Sequence, residues 1–272
     1  MKLLAILAAA AFTLGACGGD DDETSSATTP KPPPEKTGKV IVKYEEPSDE
    51  GGAQAKEILS LGGLDGIAAG FTKSFKLPVD IEFRAVNGMV GPFYDPSSRS
   101  ITYSYGFTNY VANSLISAFP ELRTNQRELG KQWAAINDFI LIHEWAHALI
   151  DVYELPVLGR EEDAADALAT VFMTDLVEGG SEYAFDAARF FDVLSARQRE
   201  LAPEDYWDEH SLDKQRAYTI VCAIAGADEN DYRIIEEAGI LGADRLRRCP
   251  AEYEQKSKSW QLLLKPHLRR GG

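Results

Sequence analysis

The sequence predicts an α+β fold, in which a small sheet comes first along the chain and helices follow. Three observations support this prediction. Apolar and polar residues alternate over 79–86 and 100–105, which is typical of strands that are buried on one face. The segment over 125–155 is apolar nearly all round at helical spacing, which indicates a buried helix. Helical patterns continue after Pro156, so strands and helices are segregated along the chain.

The N-terminus predicts an export signal that takes no part in the fold. Lys2 precedes an apolar run over 3–14 that is too short for a permanent membrane span. Leu-Gly-Ala-Cys over 14–17 resembles the bacterial lipobox, which implies that residues 1–16 are removed and that Cys17 carries a lipid. The alternative is an ordinary secretory signal that happens to contain a cysteine. We therefore expect an exported envelope protein, on the periplasmic or cell-surface side, that contacts the membrane through this lipid alone.

Residues 17–38 predict a disordered tether. They include an acidic run over 20–23 and a proline-rich run over 30–34, with no large apolar residue to offset the entropy of ordering. The body over 39–272 is long enough to bury one large core. The net charge of -15 argues against nucleic acid and anionic membrane surfaces as partners, because both attract basic proteins.

Two cysteines remain in the body once Cys17 is set aside. Cys222 and Cys249 form an even pair in a chain that we expect in an oxidising compartment, so a disulfide is the default interpretation. Two independent buried thiols are the alternative.

The body elements follow from the same patterns. In chain order they predict a strand over 39–44, a helix over 52–75, a strand over 79–86, a turn-rich stretch over 87–98 and a strand over 100–105. Glycines at 62, 63 and 66 weaken the first helix. The later helices are expected over 125–155, 160–176, 181–201 and 211–225, and in pieces over 231–264.

Residues 143–147 carry the pattern H-E-x-x-H within the predicted buried helix. Residues four apart lie one turn above each other, so His143 and His147 can both bind one metal ion. Zinc lowers the pKa of a bound water, and Glu144 beside it can accept the proton as the water attacks a carbonyl. The alternative, two core histidines and a solvated glutamate, leaves costly unpartnered polar groups in a buried helix. We therefore expect one zinc ion per chain.

A catalytic zinc site usually has three protein ligands and an open position. Glu162 and Asp166 lie four apart at the start of the next predicted helix and share one face. This spacing favours Glu162 as the third ligand and Asp166 as the acceptor that orients a ligand histidine. Glu161, Asp163 and Asp166 are alternative ligands, although acids in a first turn often only complement the helix dipole.

His143-Glu144-x-x-His147 followed by Glu162-x-x-x-Asp166 resembles the gluzincin group of zinc metallopeptidases. Over about 87–260 the chain also resembles an uncharacterised bacterial family of predicted zinc metallopeptidases, often exported, on segments that include 155–160 and 207–212. The resemblance implies a zincin-like fold: a small twisted sheet packed on the active-site helix, with a mostly helical C-terminal lobe. It also implies a peptide or protein substrate that pairs with an edge strand, for which 100–105 is the candidate.

His210 is the last candidate for the site. A downstream histidine stabilises the oxyanion in several gluzincins, and the resemblance implies this role for His210. A capping or surface histidine is the alternative. His267, beside Pro266 near the C-terminus, is not expected to bind metal.

Taken together, these features predict a lipid-anchored zinc metallopeptidase with Glu144 as general base. A zinc-containing envelope protein that acts as a binding module is the rival, although a structural zinc site needs no base beside it. A second rival is an enzyme that hydrolyses a cell-wall peptide or a small amide instead of protein.

Overall fold

The structure is a computed structural model that describes residues 37–61, 63–197 and 200–269. The predicted signal over 1–16, Cys17 and most of the predicted tether lie outside these ranges. Gly38 already packs on the body, because its N–H donates to the Leu77 carbonyl at 2.7 Å. A side chain at Gly38 would collide with the Val79 carbonyl oxygen, which lies 2.0 Å from the position of a Cβ atom.

The fold is α+β, as predicted, and its sheet has four strands in the order β1-β2-β4-β3. Strands β1, β2 and β4 are parallel, and β3 pairs with β4 in the antiparallel sense. The strands are β1 (Val40–Tyr44), β2 (Ile81–Val86), β3 (Phe93–Asp95) and β4 (Ser100–Ser104).

The strand predicted to receive substrate, over 100–105, is not an edge strand. Both sides of β4 are occupied, by β2 on one side and β3 on the other, so its backbone has no free edge for a peptide. The edge next to β4 is β3, which lies in the stretch predicted to be turns. A three-residue strand shows no alternation that a sequence pattern could reveal.

The predicted helix over 52–75 is two helices, α1 (Glu50–Leu61) and α2 (Leu64–Ser74). Gly63 lies between them with φ of 108°, a left-handed conformation that glycine adopts without strain. A further helix, α3 (Tyr105–Ala118), was not predicted. Its signal is present, because Ser104 accepts a hydrogen bond from the Phe107 N–H at 3.1 Å and so caps the helix.

Helix α4 (Gln126–Tyr153) is the centre of the molecule. Trp145 stacks on Phe71 of α2 with ring centroids 4.4 Å apart, and Phe139 meets Phe191 from another side at 6.2 Å. Because both sides of α4 are packed, the side chains that it carries between them are held in place.

The remaining helices form the C-terminal part of the fold. They are α5 (Glu161–Leu176), α6 (Gly180–Arg197), α7 (Pro203–Trp207), α8 (Asp213–Ala227), α9 (Glu229–Ala238), α10 (Ala243–Leu246) and α11 (Cys249–Leu264), and short 3-10 helices occupy Pro120–Arg123 and Lys265–His267. A disulfide between Cys222 and Cys249 joins α8 to α11, which confirms that prediction. Within the described ranges, no helix has the length and hydropathy needed to cross a membrane.

Candidate metal centre

His143 and His147 lie one turn apart on α4, where the packing of the helix buries them to different degrees. The side chain of His143 is 4% exposed and that of His147 is 12% exposed. Their Nε2 atoms lie 3.3 Å apart. The spacing of four residues therefore brings two imidazole nitrogens to one point, as the sequence predicts.

Helix α5 begins beside these histidines and adds a carboxylate to the same point. Glu162 places Oε2 3.0 Å from Nε2 of His143 and Oε1 3.3 Å from Nε2 of His147. These three side chains each offer a ligand atom, and the three atoms lie close enough together to hold one metal ion. The grouping is the one that the sequence predicts.

The outer nitrogens of both histidines contact carboxylates. Nδ1 of His143 lies 2.8 Å from Oδ1 of Asp166, the orienting contact that the sequence predicts. Nδ1 of His147 lies 2.7 Å from Oε1 of Glu161, a residue that the sequence left open between an alternative ligand and a partner of the helix dipole. Each carboxylate favours the tautomer whose proton is on Nδ1, so both Nε2 lone pairs are directed at the shared point.

The charges around this point favour a cation or protons. Burial lowers the pKa of His143, but the contacts with Asp166 and Glu162 outweigh burial and raise this pKa to about 9. Burial opposes ionisation of Glu162 as well, yet contacts with His143, His147 and His210 hold its pKa far below the ordinary range. A metal ion at this site therefore competes with protons on the histidines.

Glu144 follows His143 on α4 and is 7% exposed. Burial raises the pKa of Glu144, and the neighbouring His143 and His147 lower it by less. The backbone N–H of Tyr94 on β3 also lies near this carboxylate and lowers its pKa. Glu144 is thus a buried carboxylate beside the candidate metal ligands. Its raised pKa suits a general base.

His210 lies at the site, in the loop between α7 and α8. Its Nε2 is 3.0 Å from Oε2 of Glu162, and its Nδ1 is 3.3 Å from Oδ1 of Asp208. The ring centroid lies 6.4 Å from that of His143, and the side chain is 42% exposed. Arg160 holds this loop by donating to the His210 carbonyl at 2.8 Å. The position favours a role at the site over helix capping, because α8 begins only at Asp213.

Sequence reasoning assigned no role at the site to Arg216 or Tyr94. Arg216 on α8 donates to both oxygens of Asp166, and Tyr94 lies in the unpredicted strand β3. Neither residue belongs to the H-E-x-x-H or E-x-x-x-D positions, so these two motifs assign no role to either. His267 lies elsewhere, stacked on Tyr153 with ring centroids 3.7 Å apart.

Comparison with known proteins gives a family but no close relative. Searches of curated proteins and of solved structures find no match to the chain. Residues 44–264 match the sequence profile of the family DUF4344, which is described as "Putative metallopeptidase". The match includes every residue of the candidate metal centre and most of the folded body. The chain therefore belongs to this metallopeptidase family.

Proposed function

We propose that this protein is a zinc-dependent peptidase held in the cell envelope by a lipid on Cys17. The observation that supports it most directly is the convergence of three metal-binding atoms beside a buried carboxylate. His143, His147 and Glu162 supply the atoms, and Glu144 is the carboxylate. A purely structural metal site does not require such a base.

The spacing of the ligand atoms on His143, His147 and Glu162 is compatible with one zinc ion. Ligand atoms about 2.0–2.1 Å from zinc lie about 3.3–3.4 Å from one another in tetrahedral geometry. Oε2 of Glu162 lies 3.0 Å from Nε2 of His143, Oε1 lies 3.3 Å from Nε2 of His147, and the two Nε2 atoms lie 3.3 Å apart. Two imidazoles and one carboxylate are also the ligands of many catalytic zinc ions, which keep a fourth position open.

The proposed reaction is hydrolysis of a peptide bond. Zinc, when bound, acts as a Lewis acid that lowers the pKa of water and polarises a carbonyl. Glu144 accepts a proton from the attacking water at its carboxylate and delivers a proton to the departing nitrogen. Burial favours this exchange because it raises the pKa of Glu144 towards neutrality.

Two further groups are placed to act on the substrate. His210 can donate a hydrogen bond from Nε2 to the oxyanion that forms at the substrate carbonyl. Among the residues that the structure describes, strand β3 pairs with β4 on one side and with no strand on the other. An extended peptide can pair with that side and pass Glu144, because the Tyr94 N–H is near the Glu144 carboxylate.

The envelope location rests on the N-terminal sequence and on the disulfide. The bond between Cys222 and Cys249 is typical of exported proteins, because the cytosol keeps thiols reduced. Replacement of Cys17 by Ser should move the protein from the membrane fraction to the soluble fraction and prevent labelling with a fatty-acid analogue. A membrane-bound and labelled Cys17→Ser variant would rule out lipidation at this residue.

A zinc-containing binding module is the second candidate, supported by the 42% exposure of His210 beside the site. Hydrolysis of a cell-wall peptide or a small amide remains a variant of the first, because substrate choice depends on the cleft and not on the zinc ligands. The deciding difference is whether Glu144 is needed for turnover.

The test combines metal content with hydrolysis. Purified wild type and Glu144→Gln are analysed for zinc and incubated with casein, a peptide library and cell-wall peptides. We expect about one zinc per chain in both proteins and a loss of cleavage of about a hundredfold or more in the variant.

The other outcomes separate the candidates. Zinc in both proteins with cleavage by neither supports the binding module. Equal cleavage by both proteins contradicts the role of Glu144. Absence of zinc from both proteins overturns the proposal.

A further inference from the structure

Asp166 connects the metal centre to a cation that no part of the proposed reaction uses. Its Oδ1 lies 2.8 Å from Nδ1 of His143. Arg216 donates from Nε to Oδ2 and from a terminal nitrogen to Oδ1, both at 2.8 Å. Three helices thus meet at one carboxylate, since His143 lies on α4, Asp166 on α5 and Arg216 on α8.

The long charged side chain of Arg216 is held in a fixed position. Its side chain is 12% exposed, and the guanidinium carbon lies 3.9 Å from the centre of the Phe191 ring. A buried guanidinium is costly unless it is paired with an anion and hydrogen-bonded. Asp166 supplies both, because the two parallel hydrogen bonds from Arg216 to its carboxylate form a fork. Stacking on the aromatic ring adds attraction and fixes the plane of the guanidinium.

The fork determines how Asp166 faces the histidine. Two parallel hydrogen bonds to a planar guanidinium leave a carboxylate little freedom to rotate. Oδ1 is therefore fixed where it accepts the proton of His143 Nδ1, and the opposite nitrogen of that ring is directed at Glu162. Without the fork, a nearly buried Asp166 would lose its main counter-charge and its fixed plane.

We propose that Arg216 is a positioning residue of the metal centre: it fixes the Asp166 carboxylate and, through it, the His143 imidazole in the orientation that binds metal. The inference rests on the metal-binding part of the proposed function and is independent of the substrate. Groups that orient metal-bound histidines in this way change metal affinity by about 10- to 100-fold.

Arg189 provides a matched control. It also stacks on an aromatic ring, with its guanidinium carbon 4.4 Å from the centre of Phe119, and lies 3.7 Å from an oxygen of Asp186. Neither Phe119 nor Asp186 belongs to the metal centre. Loss of Arg189 therefore removes a comparable stacked arginine without touching a ligand.

The experiment measures zinc affinity by competition with a chromophoric chelator in the full-length protein. The proteins are wild type, Arg216→Ala, Arg216→Lys and Arg189→Ala, each with and without millimolar guanidinium chloride. We expect zinc affinity to fall about 10- to 100-fold in Arg216→Ala and to recover in part when guanidinium refills the space. Arg216→Lys keeps the charge without the fork, so its affinity falls less and guanidinium has no effect.

The controls separate positioning from general damage to the fold. Arg189→Ala should bind zinc as wild type does, with or without guanidinium. Wild-type affinity in Arg216→Ala, an equal loss in Arg189→Ala, or a loss that guanidinium leaves unchanged would overturn the inference. If Arg216→Ala does not fold, unchanged zinc affinity in Arg216→Lys overturns it and a loss supports it. Failure of the wild type itself to bind zinc would instead overturn the proposed function.

Discussion

His143 and His147 direct their Nε2 atoms at each other across 3.3 Å, while the Nδ1 atom of each contacts a carboxylate. In the tautomer with the proton on Nδ1, each Nε2 carries a lone pair, and Glu162 adds a carboxylate oxygen to the same point. Such an arrangement is repulsive unless a cation or protons occupy its centre. We therefore expect the folded protein to gain stability when a metal ion binds.

Metal removal should therefore destabilise the protein. A ligand present at about 1,000 times its Kd stabilises the native state by about 4 kcal/mol. We expect a chelator to lower the melting temperature and added zinc to restore it, as measured by differential scanning calorimetry. The control is His147→Ala, which lacks one ligand and should respond weakly to both treatments. A wild-type melting temperature that ignores both chelator and zinc would contradict the prediction.

The two neighbouring glutamates of α5 should have unequal effects on metal binding. Glu162 lies near both Nε2 atoms, whereas Glu161 contacts only the outer nitrogen of His147. Glu162→Gln removes the anionic ligand, so we expect zinc to be lost at concentrations that saturate wild type. Glu161→Gln removes an orienting contact, so zinc affinity should fall about 10- to 100-fold or less. Titration of both variants with zinc measures the two affinities. A larger loss of zinc affinity in Glu161→Gln than in Glu162→Gln would identify Glu161 as the third ligand.

His210 should affect turnover more than metal binding. It contacts Glu162 but is not one of the three converging ligands, so His210→Ala should retain zinc. Loss of a donor to the oxyanion lowers kcat by about 10²- to 10³-fold. Steady-state kinetics should show this fall in kcat with a smaller change in KM. An unchanged kcat would contradict this role and identify His210 as a surface histidine.

The disulfide between Cys222 and Cys249 should contribute substantially to stability. It closes a loop with a sequence separation of 27, for which chain-entropy arguments give about 3–4 kcal/mol. Replacement of both cysteines by alanine should lower the free energy of unfolding in urea by about this amount. Cys17→Ser is the control and should unfold as wild type does. Equal stability of all three proteins would show that the bond contributes nothing.

Asp138 should make stability depend on pH. Burial raises its pKa from the ordinary value of 3.8 to about 7. The native state therefore holds this proton more tightly than the unfolded state, and stability falls as pH rises from about 4 to 7. Asp138→Asn should remove this loss, so the variant should exceed wild type by about 1–4 kcal/mol at pH 8 and match it near pH 4. The measurement is the free energy of unfolding in urea at several pH values from about 4 to 8. If this free energy depends on pH in the same way in both proteins, the prediction is wrong.

Much of the fold follows from local patterns. Strands β2 and β4 show alternation, β1 is a short run with three consecutive apolar residues, and α4 shows an apolar pattern at helical spacing, so each was predicted within a few residues. Strand β3 was missed because three residues carry too little pattern. The division between α1 and α2 depends on the conformation of Gly63, which marks a break only when packing requires it.

The order of strands in the sheet is a tertiary property. Alternation shows that a segment is a strand but does not show which neighbours it pairs with, because pairing joins residues far apart in sequence. The sequence therefore predicted β4 as the edge strand, and this prediction was wrong. In the structure β3 pairs with β4 in the antiparallel sense, so β3 is the edge strand. This difference changes where a peptide substrate can bind.

The metal centre divides in the same way. The sequence by itself predicted His143, Glu144 and His147 as site residues, and it favoured Glu162 with Asp166, because helical geometry relates residues four apart. Only the tertiary structure brought Glu161 to His147, His210 to Glu162 and Arg216 to Asp166. These contacts join different elements, and their distances depend on how α4, α5 and α8 pack around a shared core, which no local spacing specifies.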